Sequence, residues 1–210
     1  MIHDVRAAGV RLDRPAGASP MEVVRAAFAE AGGSARAEVS DLMVVGPTAV
    51  TGVRETRAVL TGRDDGYAFT VASAPALTAG REWTDHLHGV IRTLPDGDAP
   101  VHGLDEIRAR CLEFHGDCPD CLLPDEASAD IRPLAYGRIA LRAALPPRFY
   151  SYVRPLDDGR GQIRAFDVTL IDPAGRELVG IDDVAVRTRG HRSIRDIGFD
   201  LTAAAWRSFR

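Results

Sequence analysis

The chain has 210 residues and a mass of 22.6 kDa, enough for one mid-sized domain or two small ones with a real core. Hydrophobic residues make up 45% and charged residues 27%, which excludes a disordered chain, and no stretch approaches the ~20 apolar residues of a membrane helix. All 26 basic residues are arginine and the formal charge is −4, which argues against Schiff-base chemistry, a Gly-Lys-Ser/Thr phosphate loop and a nucleic-acid partner. No signal segment opens the chain, so we expect a cytoplasmic protein without a membrane partner.

The first clear element is a helix near the N-terminus. Ser19 can cap it, Pro20 suits its first turn, and Glu22 completes a capping box. Apolar residues then recur at spacings of 3, 4 and 7 until a pair of glycines stops the helix. The pattern predicts a short amphipathic helix over residues 19–31 that packs against a sheet.

Strand-like patterns fill most of the remaining chain in two groups. The first group comprises Val39–Val45, Val53–Leu60, residues 67–71 and Trp83–Arg92. The second comprises residues 135–144, Phe149–Arg154, Ile163–Asp172 and Leu178–Arg189, with a Pro-Ala-Gly turn at 173–175. A short helix is predicted over residues 104–115, and a final one over 200–209. Because strands follow strands without intervening helices, an α+β fold is favoured over a parallel α/β fold.

Two histidines stand out in the last strand of the first group. Simple alternation places His86 and His88 on one face of that strand, opposite its apolar side chains. A metal ion would accept such a pair of imidazoles if a third ligand joined them. The alternative interpretation is the polar face of a half-buried strand.

A cluster of soft ligands lies between the two groups of strands. Cys111, His115, Cys118 and Cys121 fall within eleven residues, and zinc readily takes three thiolates and one imidazole. This segment is therefore a candidate for a structural zinc clip. The alternative is a buried Cys111 on a helix, followed by an incidental Cys-Pro-Asp-Cys turn. The odd, clustered cysteine count argues against a disulfide framework.

Three runs of residues, in their order along the chain, resemble the polyketide synthase dehydratase family. Residues 4–11 followed by Pro-Ala-Gly-Ala at 15–18 are similar to the family's Asp-His-x-x-x-Gly run and Pro-Gly segment. Residues 83–89 resemble its Trp-x-x-His-x-x-Gly strand, and residues 134–175 resemble the last strands of its second half. The match spans roughly residues 2–189.

The resemblance implies a double hotdog fold, in which an antiparallel sheet wraps a central helix twice. We expect an N-terminal hotdog over residues 1–98, a linker with the Cys/His cluster over 99–130, hotdog-like strands over 131–190, and a C-terminal tail or helix over 191–210. The second hotdog is expected to be abbreviated, because the family's Tyr-Gly-Pro strand and His-Pro-x-x-x-Asp helix are missing. Hotdog sheets often pair edge to edge, so a homodimer is a further expectation.

The resemblance also implies a substrate and a reaction. The family acts on an acyl chain held by a carrier protein's phosphopantetheine arm; a histidine removes the α-proton and an aspartate protonates the leaving hydroxyl. Val5 stands at that histidine's position, so His3, two residues earlier on the same strand face, is the candidate base. Asp130 is the candidate acid, and His86 is a further candidate catalytic residue.

Two functions follow from these residues. The first is a lyase- or cyclase-type enzyme, dehydratase-like, that acts on a carrier-bound or released polyketide by dehydration, double-bond shift or cyclisation. It would require no cofactor beyond the possible structural zinc. The second is a non-catalytic pseudo-dehydratase that serves as a scaffold or partner of a polyketide synthase. An acyl carrier protein or the polyketide itself is the expected partner.

Overall fold

A computed structural model of the protein describes residues 8–12, 20–46, 54–75, 82–110, 131–156 and 162–188. The elements in chain order are β1 (Ala8–Leu12), α1 (Pro20–Glu30), β2 (Ala37–Val44), β3 (Arg54–Arg63), β4 (Gly66–Pro75), β5 (Thr84–Thr93), α2 (Leu104–Arg110), β6 (Ile131–Leu141), β7 (Tyr150–Pro155), β8 (Ile163–Ile171) and β9 (Glu177–Thr188). The nine strands form one antiparallel sheet in the order β1-β3-β4-β5-β2-β6-β9-β8-β7. Neither helix of this described part is long and apolar enough to cross a bilayer.

The predicted α+β architecture is confirmed, because a single antiparallel sheet carries a helix on one face. The eight predicted strands correspond to β2 through β9, with small shifts at their ends. The turn at 173–175 connects β8 to β9, and Gly175 has a φ of 88° there. β1 has no counterpart among the predicted strands, since five residues are too few to show a period. Ser19, residues 111–115 and residues 200–209 lie outside the described residues.

The helix α1 defines the inner face of the sheet. It packs on β1, β3, β4 and β5 through an apolar stripe that includes Val24 and Phe28, which are 0% and 3% exposed. The Phe28 ring meets the Tyr67 ring of β4 edge-on, with centroids 6.0 Å apart. The helix ends at Glu30, and Gly32 follows it with a left-handed φ of 85°, as the glycine pair in the sequence predicts. Odd-numbered positions of β4, such as Tyr67, therefore face α1.

The two groups of strands meet at β2 and β6. These strands pair from Ala37 opposite Leu141 to Met43 opposite Ala135, so the sheet is continuous across the joint. In the second group, the structure describes four strands, β6 to β9, and the helix α2 falls in the preceding linker. The abbreviation of the second hotdog stays a prediction. Residues 111–130, which precede β6, lie outside the described residues.

A buried carboxylate spans the joint on the outer face of the sheet. Glu38 of β2 accepts hydrogen bonds from Nε of Arg92 on β5, at 2.9 Å, and from Nε of Arg138 on β6, at 2.7 Å. Burial raises the pKa of Glu38, but the hydrogen bonds and charges of Arg138 and Arg92 outweigh it and hold the pKa below 4.5. Arg92 and Arg138 also pair with Asp65 and Asp182, so the network reaches from the β3–β4 turn to β9.

A crease crosses the adjacent strands β2, β6 and β9 beside this network. Asp41 of β2 and Asp183 of β9 have positive φ angles of 51° and 54°. Gly137 of β6 lies between them, and a Cβ there would come within 2.9 Å of the Asp183 Cβ. Bulges at the two aspartates shift which positions face the core, so Val39 and Leu42 are both buried although they are three positions apart.

Candidate functional site

A β-bulge at His86 organises the candidate site. β4 pairs Val71 with Leu87 but Ala72 with Asp85, so His86 is one extra residue in β5. The extra residue reverses the alternation of side chains on its two sides. His86 and Leu87 are therefore both buried, at 4% and 3% exposure, although they are consecutive in a strand.

The end of β2 holds the bulge in place. The backbone amides of Val45 and Gly46 both donate to the His86 carbonyl, at 2.9 and 3.4 Å. A Cβ on Gly46 would lie 2.3 Å from the Asp85 carbonyl oxygen, so only glycine allows this approach of the two backbones.

The two histidines lie on opposite faces, so the prediction that they share one face is wrong. The His86 Nε2 forms a 2.7 Å hydrogen bond with the Ser73 hydroxyl, which is buried on the same side of β4 as Tyr67. His88 pairs across the strands with Thr70, on the outer face. The physical reason is the bulge, because His86 is the extra residue and shares the face of Leu87, so His88 points to the opposite face. No three potential metal ligands come together within the described ranges, so this histidine pair gains no third ligand there.

The inner face near His86 is apolar with a few polar groups. Leu87 and Val71 flank the Ser73–His86 pair, and Tyr136 of β6 packs against the core farther along the same face. Burial raises the pKa of Tyr136 to about 12, so its hydroxyl stays protonated and can act as a hydrogen-bond donor. The Ser73–His86 pair and the Tyr136 hydroxyl thus stand among closely packed apolar side chains on this face.

The bulge also brings the polar side chains of Thr70, His88 and Asp85 together as a second set on the outer face. The Thr70 hydroxyl lies 3.2 Å from the His88 Nδ1, and the His88 Nε2 lies 3.4 Å from the Asp85 Oδ2. Residues three apart in a regular strand face opposite sides, so Asp85 and His88 meet only because of the bulge at His86. Sequence reasoning missed this set, since a one-residue insertion leaves no mark in the pattern of residue types.

A cleft of about 310 Å³ opens between α1 and the segment that leads into β2. Four alanines and Phe28 form most of its wall, and the side chains of Glu22, Arg25 and Ser34 contribute its polar part. Neither Ser73 nor His86 lines it, so this cleft does not lead to the candidate site.

The remaining predicted site residues lie outside the described residues. These are His3, Val5, Asp130 and the cluster of Cys111, His115, Cys118 and Cys121. His86 is thus the one candidate catalytic residue whose surroundings the structure describes.

Comparison with known proteins establishes the fold. No protein family model and no curated protein sequence matches the chain. Among solved structures, the CurJ dehydratase, an inactive mutant in complex with a compound, is similar with a TM-score of 0.66 and 16% identity, over 95% of this chain and 87% of that one. A trans-AT polyketide synthase dehydratase domain from Brevibacillus brevis gives a TM-score of 0.65 and 13% identity, over 90% and 96%.

A pyran synthase domain from module nine of the sorangicin pathway is similar with a TM-score of 0.61 and 16% identity, over 90% of this chain and 96% of that domain. The likeness covers nearly the whole of both chains in each case. The chain therefore has the double hotdog fold of these domains, as the sequence resemblance implied.

Proposed function

We propose that this protein is a dehydratase-like component of polyketide biosynthesis. It acts on a carrier-bound or released polyketide by a lyase-type proton transfer, namely dehydration, double-bond shift or cyclisation. The observation that carries the proposal is the double hotdog sheet with α1 on its inner face, shared over nearly its full length with dehydratase and pyran synthase domains.

The inner face suits such a substrate. In this proposal the acyl chain lies along this apolar face, and the polar pair of Ser73 and His86 lies at one end of β4 and β5. In this proposal His3 is the base, Asp130 is the acid, and His86 is a further candidate. A positioned acid or base contributes about 10²–10⁴ in rate, and holding a flexible chain close to its own nucleophile favours ring closure.

The second candidate function is a non-catalytic scaffold or partner of a polyketide synthase. Two observations favour it: Val5 stands where the family has its histidine, and the His86 side chain is 4% exposed and engaged with Ser73. A buried imidazole with this partner is well placed to stabilise the core.

The test uses the full chain with two model substrates, a β-hydroxyacyl thioester and a hydroxy-enoyl thioester, followed by mass spectrometry of the products. We expect loss of water from the first or cyclisation of the second, and a drop in kcat of about 10²-fold or more for His3→Ala and Asp130→Asn. His102→Gln, a histidine in the linker paired with Glu177, is the matched control and should retain activity.

The same experiment separates the two functions. Thioester binding without turnover would support the scaffold, and neither binding nor turnover would contradict both the enzyme and a substrate-binding role. An acyl carrier protein as partner, a homodimer, the domain boundaries and a cytoplasmic location stay predictions. Elemental analysis of the purified chain tests the candidate zinc clip at Cys111, His115, Cys118 and Cys121, which one zinc per chain would support and its absence would contradict.

A further inference from the structure

The outer-face set of Thr70, His88 and Asp85 places a hydroxyl, an imidazole and a carboxylate in the order that activates a hydroxyl. The Asp85 Oδ2 lies 3.4 Å from the His88 Nε2, and because a carboxylate can only accept, it favours the imidazole tautomer whose proton sits on that nitrogen. The Nδ1 of His88 then carries the lone pair and accepts from the Thr70 hydroxyl, 3.2 Å away. A hydroxyl, a base and a carboxylate that orients the base is the arrangement by which proteins activate a nucleophile.

Solvent reaches this set. The side chains of His88 and Asp85 are 41% and 51% exposed, and Thr70 is half-buried between neighbouring strands. Met43, which pairs with His88 across β2 and β5, is 56% exposed and offers an apolar contact beside the imidazole. A small acyl donor with an apolar leaving group fits these surroundings.

The inner-face pair provides the internal contrast. Ser73 and His86 are also a hydroxyl and an imidazole in hydrogen-bond contact, at 2.7 Å, but Ser73 is 0% exposed. A reagent in solution can therefore reach the Thr70 hydroxyl but not the Ser73 hydroxyl.

We propose that Thr70 is an acyl-acceptor site, activated by His88 and oriented through Asp85. The Thr70 Oγ attacks the carbonyl carbon of an activated ester or thioester, and its proton passes to the His88 Nδ1. The bond from the carbonyl carbon to the leaving alcohol or thiol breaks, and the leaving group takes the proton from His88. The product is an O-acyl-threonine on the outer face.

The experiment treats the full chain with p-nitrophenyl acetate and follows nitrophenolate release and the intact protein mass. We expect one acetyl group per chain, mapped to Thr70 by peptide sequencing in the mass spectrometer. Thr70→Ala should remove the adduct, and Thr70→Ser should keep it. His88→Gln and Asp85→Asn should each slow acylation by about tenfold or more.

Two controls keep the proposal falsifiable. Thr93→Ala, an exposed threonine at the end of β5, and His102→Gln should leave the rate unchanged. An adduct at another residue, or an unchanged rate in His88→Gln, would overturn the proposal. Because Thr70→Ser and His88→Gln change little volume, they decide the question even if Thr70→Ala fails to fold.

Discussion

The two halves of the sheet bury their inner faces to the same degree by different means. In the first half, β1 to β5 are covered by α1, whose Val24 and Phe28 are almost fully buried. In the second half, the regular alternation of β8 puts Phe166, Val168 and Leu170 inward, each at most 1% exposed. The comparison shows that α1 covers strands of the first half only, whereas the β8 side chains reach the same burial without contact to α1 in the described residues.

The second half also holds its turns with charged side chains. In the β8–β9 turn, Asp172 accepts backbone hydrogen bonds from Ala174 and Arg176, at 2.8 and 2.9 Å. Next to it, Glu177 binds Arg142 at 2.9 Å and the linker residue His102 at 3.0 Å. The His102 contact fastens the linker to the start of β9, and the Arg142 contact ties the segment after β6 to the same residue.

The largest expected effect tests the dependence on α1. Phe28→Ala removes the ring that packs on Tyr67 and should lower the free energy of unfolding by about 3–5 kcal/mol. Urea denaturation followed by circular dichroism measures it. Phe166→Ala in β8 is the matched variant for the second half. A loss below about 1 kcal/mol for Phe28→Ala would contradict the central role of the helix.

The next effect concerns the crease between the halves. Gly137→Ala places a Cβ 2.9 Å from the Asp183 Cβ and should cost about 1–3 kcal/mol of stability. Asp183→Gly removes the opposing Cβ and suits the positive φ at that position, so the double variant should recover most of the loss. Thermal denaturation of the four proteins measures the coupling. Strictly additive losses would show that the two residues do not oppose each other.

A smaller effect tests the network across the joint. Glu38→Gln leaves Arg92 and Arg138 without their shared carboxylate and should cost about 1–2 kcal/mol, the low end for a buried partner because both arginines are 42% exposed. Since the folded pKa of Glu38 lies below 4.5, its contribution is complete above that pH and is lost as the pH falls through the lowered value.

The variant should therefore show a flatter decline of stability with falling pH below about 4.5 than the wild type, measured by denaturation at several pH values. Asp96→Asn, an exposed carboxylate paired with Arg36 at 3.7 Å, is the matched control and should leave the pH profile unchanged. Equal profiles for the wild type and Glu38→Gln would contradict the assignment.

The smallest effect concerns the β8–β9 turn. The backbone amide of Arg176 and its guanidinium hold the pKa of Asp172 below its usual range. In Asp172→Asn the amide oxygen can still accept from the backbone, but the amide nitrogen cannot accept from Arg176 Nε. We expect a slight decrease in Tm and faster hydrogen exchange confined to residues 174–177. A change spread over the whole sheet would contradict this local role.

Sequence reasoning succeeded where the signal is local. The spacing of apolar residues and the glycines at 32–33 predicted α1, and alternation predicted β2 to β9. These features depend on residues a few positions apart, which a single sequence shows directly.

Reasoning from the sequence failed where the structure depends on the partner strand. The bulges at Asp41, His86 and Asp183 arise from how each strand packs and pairs with its neighbours. An aspartate or a histidine in a strand does not by itself indicate a bulge. The face of His88, and with it the contact to Asp85, could not be predicted for this reason. Gly46 is the one available hint, because its lack of a Cβ permits the backbone approach beside the bulge.

The unbroken pairing of β2 with β6 has a consequence for anyone who expresses the halves separately. A cut between residues 98 and 131 would turn β2 and β6 into edge strands whose backbone amides and carbonyls have lost their partners. Apolar side chains beside these edges would become exposed to water. Such fragments should aggregate when they are expressed separately. If the two fragments are refolded together, β2 and β6 can pair again, and the fragments should reassemble as a split protein does.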